Sequence, residues 1–135
     1  MTQADILVPG RHAAGLAQVF SAPISFWGGI DPKTGRVVDV RHPQHGDTIA
    51  GRVLFLPGTI GSSSASAVLL ELVHAGRAPA AIVLHEPDAI LLLGLIVARE
   101  MGWETPPALR LDRAMHARFD GRPVAIGADG SISDA

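Results

Sequence analysis

The chain has 135 residues, 47% apolar and 18% charged, which is enough for one compact domain with its own core, read here as residues 1–135. A net charge of −2, with four Phe, two Trp and no Tyr, gives no reason to expect nucleic acid or an anionic membrane as partner. Cys is absent, so the chain has no disulfide, no thiolate metal site and no iron–sulfur ligand of its own. In chain order, Met1 to Asp5 carries neither the basic nor the apolar region of a signal peptide. Gly15 to Phe20 reads as a strand, broken by Ser21-Ala22-Pro23 because Pro cannot donate to a ladder. Ile24 to Trp27 runs into Gly28-Gly29-Ile30-Asp31-Pro32, and Asp31 to Gly35 is a turn signal. Arg36 to Val40 resumes as a strand, which makes residues 24 to 40 a hairpin-like unit. Arg41 to Gly46 is loop, and Thr48 to Leu56 returns to β.

The second half changes rhythm. Ala65 to Ala75 places Val68, Leu69, Leu72 and Val73 at helical spacing, and Gly76 follows as the stop. Ala80 to Leu84 is an apolar run of the kind buried on both faces of a sheet. Asp88 caps a second helix, Ala89 to Met101, which is apolar nearly all round and stopped by Gly102. That helix is either core or partly covered by another chain, and core is the expected reading. Its greasiest part, Ala89 to Ala98, is about half as long as a bilayer span requires, so a cytoplasmic location is expected. Ala108 to Leu111 is a further strand, and Val124 to Ile126 with Ser131-Ile132 forms a closing hairpin. The order is therefore β-rich first, then β-α-β-α-β. This is an α/β fold of two β layers capped by helices, not a uniform doubly wound sheet.

The candidate chemistry centres on Leu56-Pro57-Gly58-Thr59-Ile60-Gly61-Ser62-Ser63-Ser64. A strand that ends in a Gly-rich turn and opens a helix points backbone N–H groups at one spot, backed by the helix dipole. Ser62 or Ser63 is the natural N-cap, and the hydroxyl not used in capping is left at an anion site. The turn is not a P-loop, for no Lys follows Gly61, nor a nucleophile elbow, for Ser64 stands where Gly is needed. Close helix–strand packing explains it as well as a hydroxyl held among N–H donors does. Trp27-Gly28-Gly29 is a second Gly-rich loop, open to the same two readings. His42 and His45 have a metal-like spacing without a third ligand, and solvated loop histidines are the plainer reading. His85-Glu86 stands at the end of the buried strand, where α/β folds place ligands. His12, His74 and His116 have no constellation around them and are read as structural or surface.

Several spacings agree with one family. Pro23-Ile24-Ser25-Phe26-Trp27-Gly28-Gly29-Ile30-Asp31-Pro32-Lys33-Thr34-Gly35, Ile49 to Leu54, Gly61-Ser62 and Gly76 to Ile82 resemble the small swivelling domain of the aconitase X family, over residues 10 to 132. The resemblance implies a swivelling β/β/α domain, like the aconitase small domain, that closes over a large subunit. That large subunit would hold an iron–sulfur cluster acting as Lewis acid on a leaving hydroxyl, and this chain alone would bind no metal. The general base would be the serine after the second glycine, Ser62. Gly28, Gly29, Asp31, Gly61, Ser63 and Ser64 are the residues expected around a small hydroxy acid substrate. Some family members resemble cis-3-hydroxy-L-proline dehydratases, which form Δ1-pyrroline-2-carboxylate, and others resemble mevalonate 5-phosphate dehydratases. The phosphate-using type is expected to carry a basic residue just before Gly-Ser, where this chain has Ile60. Cis-3-hydroxy-L-proline is accordingly the expected substrate. Two competing readings are a phosphate carrier using His85 and a non-catalytic partner subunit docking through the apolar helix.

Overall fold

Apolar residues that alternate along short strands, with two helices between them, set the architecture. The computed structural model describes every residue from Met1 to Ala135. Eight strands make one sheet: β1 (Thr2–Gln3), β2 (Asp5–Val8), β3 (Ala13–Val19), β4 (Val53–Leu56), β5 (Ala81–Leu84), β6 (Ala108–Arg110), β7 (Pro123–Ile126) and β8 (Ser131–Asp134). Their spatial order is β1-β8-β7-β3-β4-β5-β6-β2. Strands β3 to β6 run parallel, β7 and β8 extend the sheet antiparallel from β3, and β2 flanks β6 antiparallel. Only Ala4 separates β1 from β2, and β1 pairs with β8. The N-terminal segment thus borders both ends of the sheet and draws it into a closed barrel without free edges.

The period of two sorts the core into two layers. In β4, Val53 and Phe55 join the barrel interior while Leu54 and Leu56 face the helices; in β5, Ala81 and Val83 point in while Ile82 and Leu84 point out. Phe55 stacks on Phe119 with ring centroids 5.3 Å apart and meets His116 edge-on at 5.4 Å. His116 is buried there, and its Nε2–H donates to the Leu111 carbonyl oxygen at 2.9 Å. Burial holds its imidazole below the ordinary pKa of 6.5.

Beyond the short α1 (Phe26–Gly29), helices α2 (Ala65–Ala75) and α3 (Ala89–Glu100) pack side by side over the outer face of β4 and β5. Their contact is close because Gly94 has no side chain: a Cβ there would stand 2.5 Å from the Ser66 carbonyl oxygen. The result is a β/β/α domain, as expected. Helix α3 is core on one face only, not throughout as expected. Leu91, Leu92, Leu95 and Ala98 are buried, but Ile90, Leu93, Ile96, Val97 and Met101 are each 42–55% exposed.

Several expected strands are absent. Arg36 to Val40 forms no regular strand, its ladder reduced to single bridges of Ile30 to Val37 and Arg36 to Thr48, and the strand expected from Thr48 begins at Val53. The hairpin-like unit is present in short form, with Ile30 and Val37 bridged antiparallel. The Asp31 N–H donates to the Arg36 carbonyl oxygen and the Val38 N–H to the Gly29 carbonyl oxygen, both at 2.9 Å, around a turn closed by the Gly35 N–H to the Asp31 carbonyl oxygen at 2.8 Å. Tertiary packing overrides β propensity here. Val37 and Ile49 are plugs in the helix-side core, while Val40 is 77% exposed.

Candidate active site

Parallel strands β4 and β5 end side by side, and the loops leaving them enclose an open cleft of about 560 Å³. Thr59 and Gly61 line one wall; Glu86, Asp88 and Ile90 line the other. This is the carboxyl end of the parallel strands, where a βα fold exposes helix N-termini and free loop amides to a ligand.

The turn from β4 into α2 is built of small residues, so its backbone stays accessible. Ser62 Oγ accepts the Ser64 N–H at 3.2 Å, and the Ser62 carbonyl oxygen accepts the Ala65 N–H at 3.1 Å. Ser62 thereby does the work of a cap one turn ahead of the regular helix, while Ser64, at the formal cap position, makes no side-chain cap bond. Capping and availability, expected to fall to different serines, meet in one. A hydroxyl that accepts an N–H keeps its own proton free, and its oxyanion would keep that donor. The backbone N–H groups of Gly61, Ser62 and Ser63 have no partner within the chain. Gly61 and Ser63 are exposed and Ser62 half-buried. The arrangement offers an anionic group several donors beside a hydroxyl.

The second Gly-rich loop stands next to it. The Ile60 N–H donates to the Ile24 carbonyl oxygen at 3.1 Å, and Ile24 and Thr59 form a parallel bridge. Trp27 (φ −77°, ψ 116°) and Gly28 (φ 83°, ψ −17°) take the central angles of a type II turn, which calls for Gly at the second position. Gly28 faces open space, whereas a Cβ on Gly29 would stand 2.9 Å from Ile24 Cγ1. Asp31 Oδ1 accepts the Lys33 N–H at 2.9 Å. Gly29 and Asp31 therefore hold the loop's shape, and the exposed part is Trp27-Gly28.

The histidines stand elsewhere. His42, expected to be solvated, is buried beneath Phe20: its Nε2–H donates to the Ala22 carbonyl oxygen at 3.0 Å and its Nδ1 accepts the Gln44 N–H at 3.0 Å. The spacing to His45 is thus a loop-anchoring feature, because burial removes one of the pair from any ligand. His85 Nδ1 accepts the Arg113 N–H at 3.0 Å and pins the chain that follows β6. His74 packs against Trp103 with ring centroids 4.9 Å apart. One contact escaped the sequence reading altogether: Thr59 Oγ1 donates to Asp88 Oδ2 at 2.6 Å across the cleft. The cap role of Asp88 was legible, but its second oxygen was not.

The family model for the aconitase X swivel domain matches residues 1–133. The chain belongs to that family. It is 45% identical over 98% of its length to the cis-3-hydroxy-L-proline dehydratase of Pseudomonas aeruginosa, and covers 23% of that protein. It is 49% identical over 58% of its length to the phosphomevalonate dehydratase small subunit of Methanopyrus kandleri, and covers 58% of that subunit. The chain thus spans about a quarter of the first relative and somewhat over half of the second. The crystal structure of Thermococcus kodakaraensis aconitase X in its holo-form superposes with a TM-score of 0.85 at 30% identity, over 98% of this chain and 96% of that one. Within the swivel family the fold read from the sequence stands. No helix of the chain is long and apolar enough to cross a membrane.

Proposed function

We propose that this chain is the small subunit of an aconitase X-type dehydratase, in which Ser62 removes the proton next to the substrate carboxylate. Loss of that proton and of the hydroxyl on the neighbouring carbon releases water and leaves a double bond. The observation that carries the reading is Ser62 itself. It lies at the opening of α2, its Oγ accepting the Ser64 N–H at 3.2 Å, in a turn where the N–H groups of Gly61, Ser62 and Ser63 have no partner within the chain. A serine is a poor base until its oxyanion is stabilised, and the Ser64 N–H already bonded to Oγ is the donor that would do so. Gly61, Ser63, Ser64 and the exposed Trp27-Gly28 turn would contact substrate, with Gly29 and Asp31 supporting that turn.

This chain does not offer a donor set for an iron–sulfur cluster. It has no Cys, and no three of its His, Asp or Glu residues gather to hold a metal. The cluster is assigned to the large subunit, which would seat on the rim where Ile60 and Ile90 are exposed. A cytoplasmic setting goes with that assignment.

The substrate we favour is cis-3-hydroxy-L-proline. Its ring nitrogen is cationic at neutral pH, and the charged residues lining the cleft, Glu86 and Asp88, are both acidic. Ile60 offers nothing to a phosphate. The second reading, a mevalonate 5-phosphate substrate, is favoured by the 49% identity to the archaeal small subunit. Anaerobic co-expression with the large subunit and parallel assays on both substrates decide between them. Turnover of hydroxyproline alone supports the favoured substrate. Turnover of the phosphate alone replaces it, and turnover of neither removes the dehydratase reading.

A further inference from the structure

The last backbone bond from the serine loop to a separate segment is that of Ile60, whose N–H reaches the Ile24 carbonyl oxygen at 3.1 Å; beyond it Ser62 is tied only into the opening of α2, its carbonyl oxygen accepting the Ala65 N–H at 3.1 Å. The three N–H groups after that of Ile60 have no partner inside the chain. A loop fastened so lightly does not by itself keep a side chain within the ~0.5 Å that catalysis demands. A second fastening lies just before it. Thr59 Oγ1 donates to Asp88 Oδ2 at 2.6 Å, the short distance of an O–H bond to a carboxylate. Asp88 Oδ1 accepts the N–H groups of Ile90 and Leu91 at 3.0 and 3.1 Å, which caps α3. One carboxylate therefore joins the serine loop to the start of a helix whose other face is packed against the core.

We infer that Thr59 and Asp88 are positioning residues that set Ser62 against its substrate by clamping the loop to α3. The inference rests on the reading of Ser62 as the base. A helix cap needs only Oδ1, so the second oxygen is not explained by capping. A displacement of ~1 Å at a reacting group costs about 10²-fold in rate. The clamp acts on orientation, so its loss falls on kcat and not on substrate binding.

The test uses the complex with the large subunit. Thr59→Val keeps the shape and removes the donor, while Thr59→Ser keeps the donor. Thr59→Val should lower kcat about 10- to 100-fold with little change in KM, and Thr59→Ser should restore most of it. Wild-type kcat in Thr59→Val overturns the inference. Ser62→Ala, measured beside them, separates the two ideas. If it abolishes turnover while Thr59→Val keeps the wild-type kcat, Ser62 remains the base and the clamp falls. If Ser62→Ala is fully active, the base assignment falls, and amide exchange on the full chain decides the clamp. Faster exchange at Gly61 to Ser64 in Thr59→Val, and not in Thr59→Ser, sustains it; equal exchange overturns it.

Discussion

The barrel interior and the rim at the carboxyl ends of β4 and β5 are made from the same strands and obey opposite rules. Inside, Val53, Phe55 and Val83 are fully buried, Phe55 lies against Phe119 and His116, and each polar atom has its partner. A few residues beyond β4, side chains shrink to Gly and Ser and the N–H groups of Gly61, Ser62 and Ser63 are left unpaired. The interior is optimised for density and the rim for access. Dense packing and an accessible backbone are thus kept apart in this chain, although only a turn divides them.

Three substitutions or conditions sharpen that contrast, in descending size. Phe55→Ala opens a cavity in the middle of the barrel and should cost about 3–5 kcal/mol. Urea unfolding reads it as a lower midpoint at unchanged slope. Gly28→Ala should cost about 1–2 kcal/mol, because its φ of 83° is unfavourable for any residue with a Cβ. Nothing lies within 4 Å to add a steric cost, so thermal melting should show this backbone effect alone. The smallest effect is on pH dependence and comes from His116. Its folded-state pKa is lowered by burial, so the unfolded chain takes up a proton below about pH 6.5 that the folded chain resists. Its contribution is complete above that pH and is lost as pH falls toward the lowered folded value. Unfolding at about pH 7.5 and pH 5.5 should show wild type losing more stability than His116→Gln.

The elements legible in sequence were those whose reasons are local. Asp88 announces α3, Gly76 ends α2, and the short apolar run Ala80 to Leu84 reads as a doubly buried strand, which β5 is. The failures have non-local causes. Arg36 to Val40 has the residues of a strand, yet Val38 and Val40 are exposed because no neighbour completes a ladder. Closure of the barrel depends on Thr2–Gln3 and Asp5–Val8 pairing with strands from the far end of the chain, which no short-range pattern reveals. Burial of His42 and His116 depends on carbonyl partners supplied by folding. At the site, the Gly-Ser turn and its place before a helix were legible from spacing. The clamp between Thr59 and Asp88, 29 positions apart, was not.

The central claim, that Ser62 serves chemistry at the rim and owes the interior little, is tested most directly by Ser62→Ala in the reconstituted complex. We predict a stability change of no more than about 1 kcal/mol, the worth of a helix cap, beside a loss of about 10²–10⁴-fold in turnover. A mutant that turns over substrate as fast as wild type would contradict the account and leave Ser62 as a cap alone.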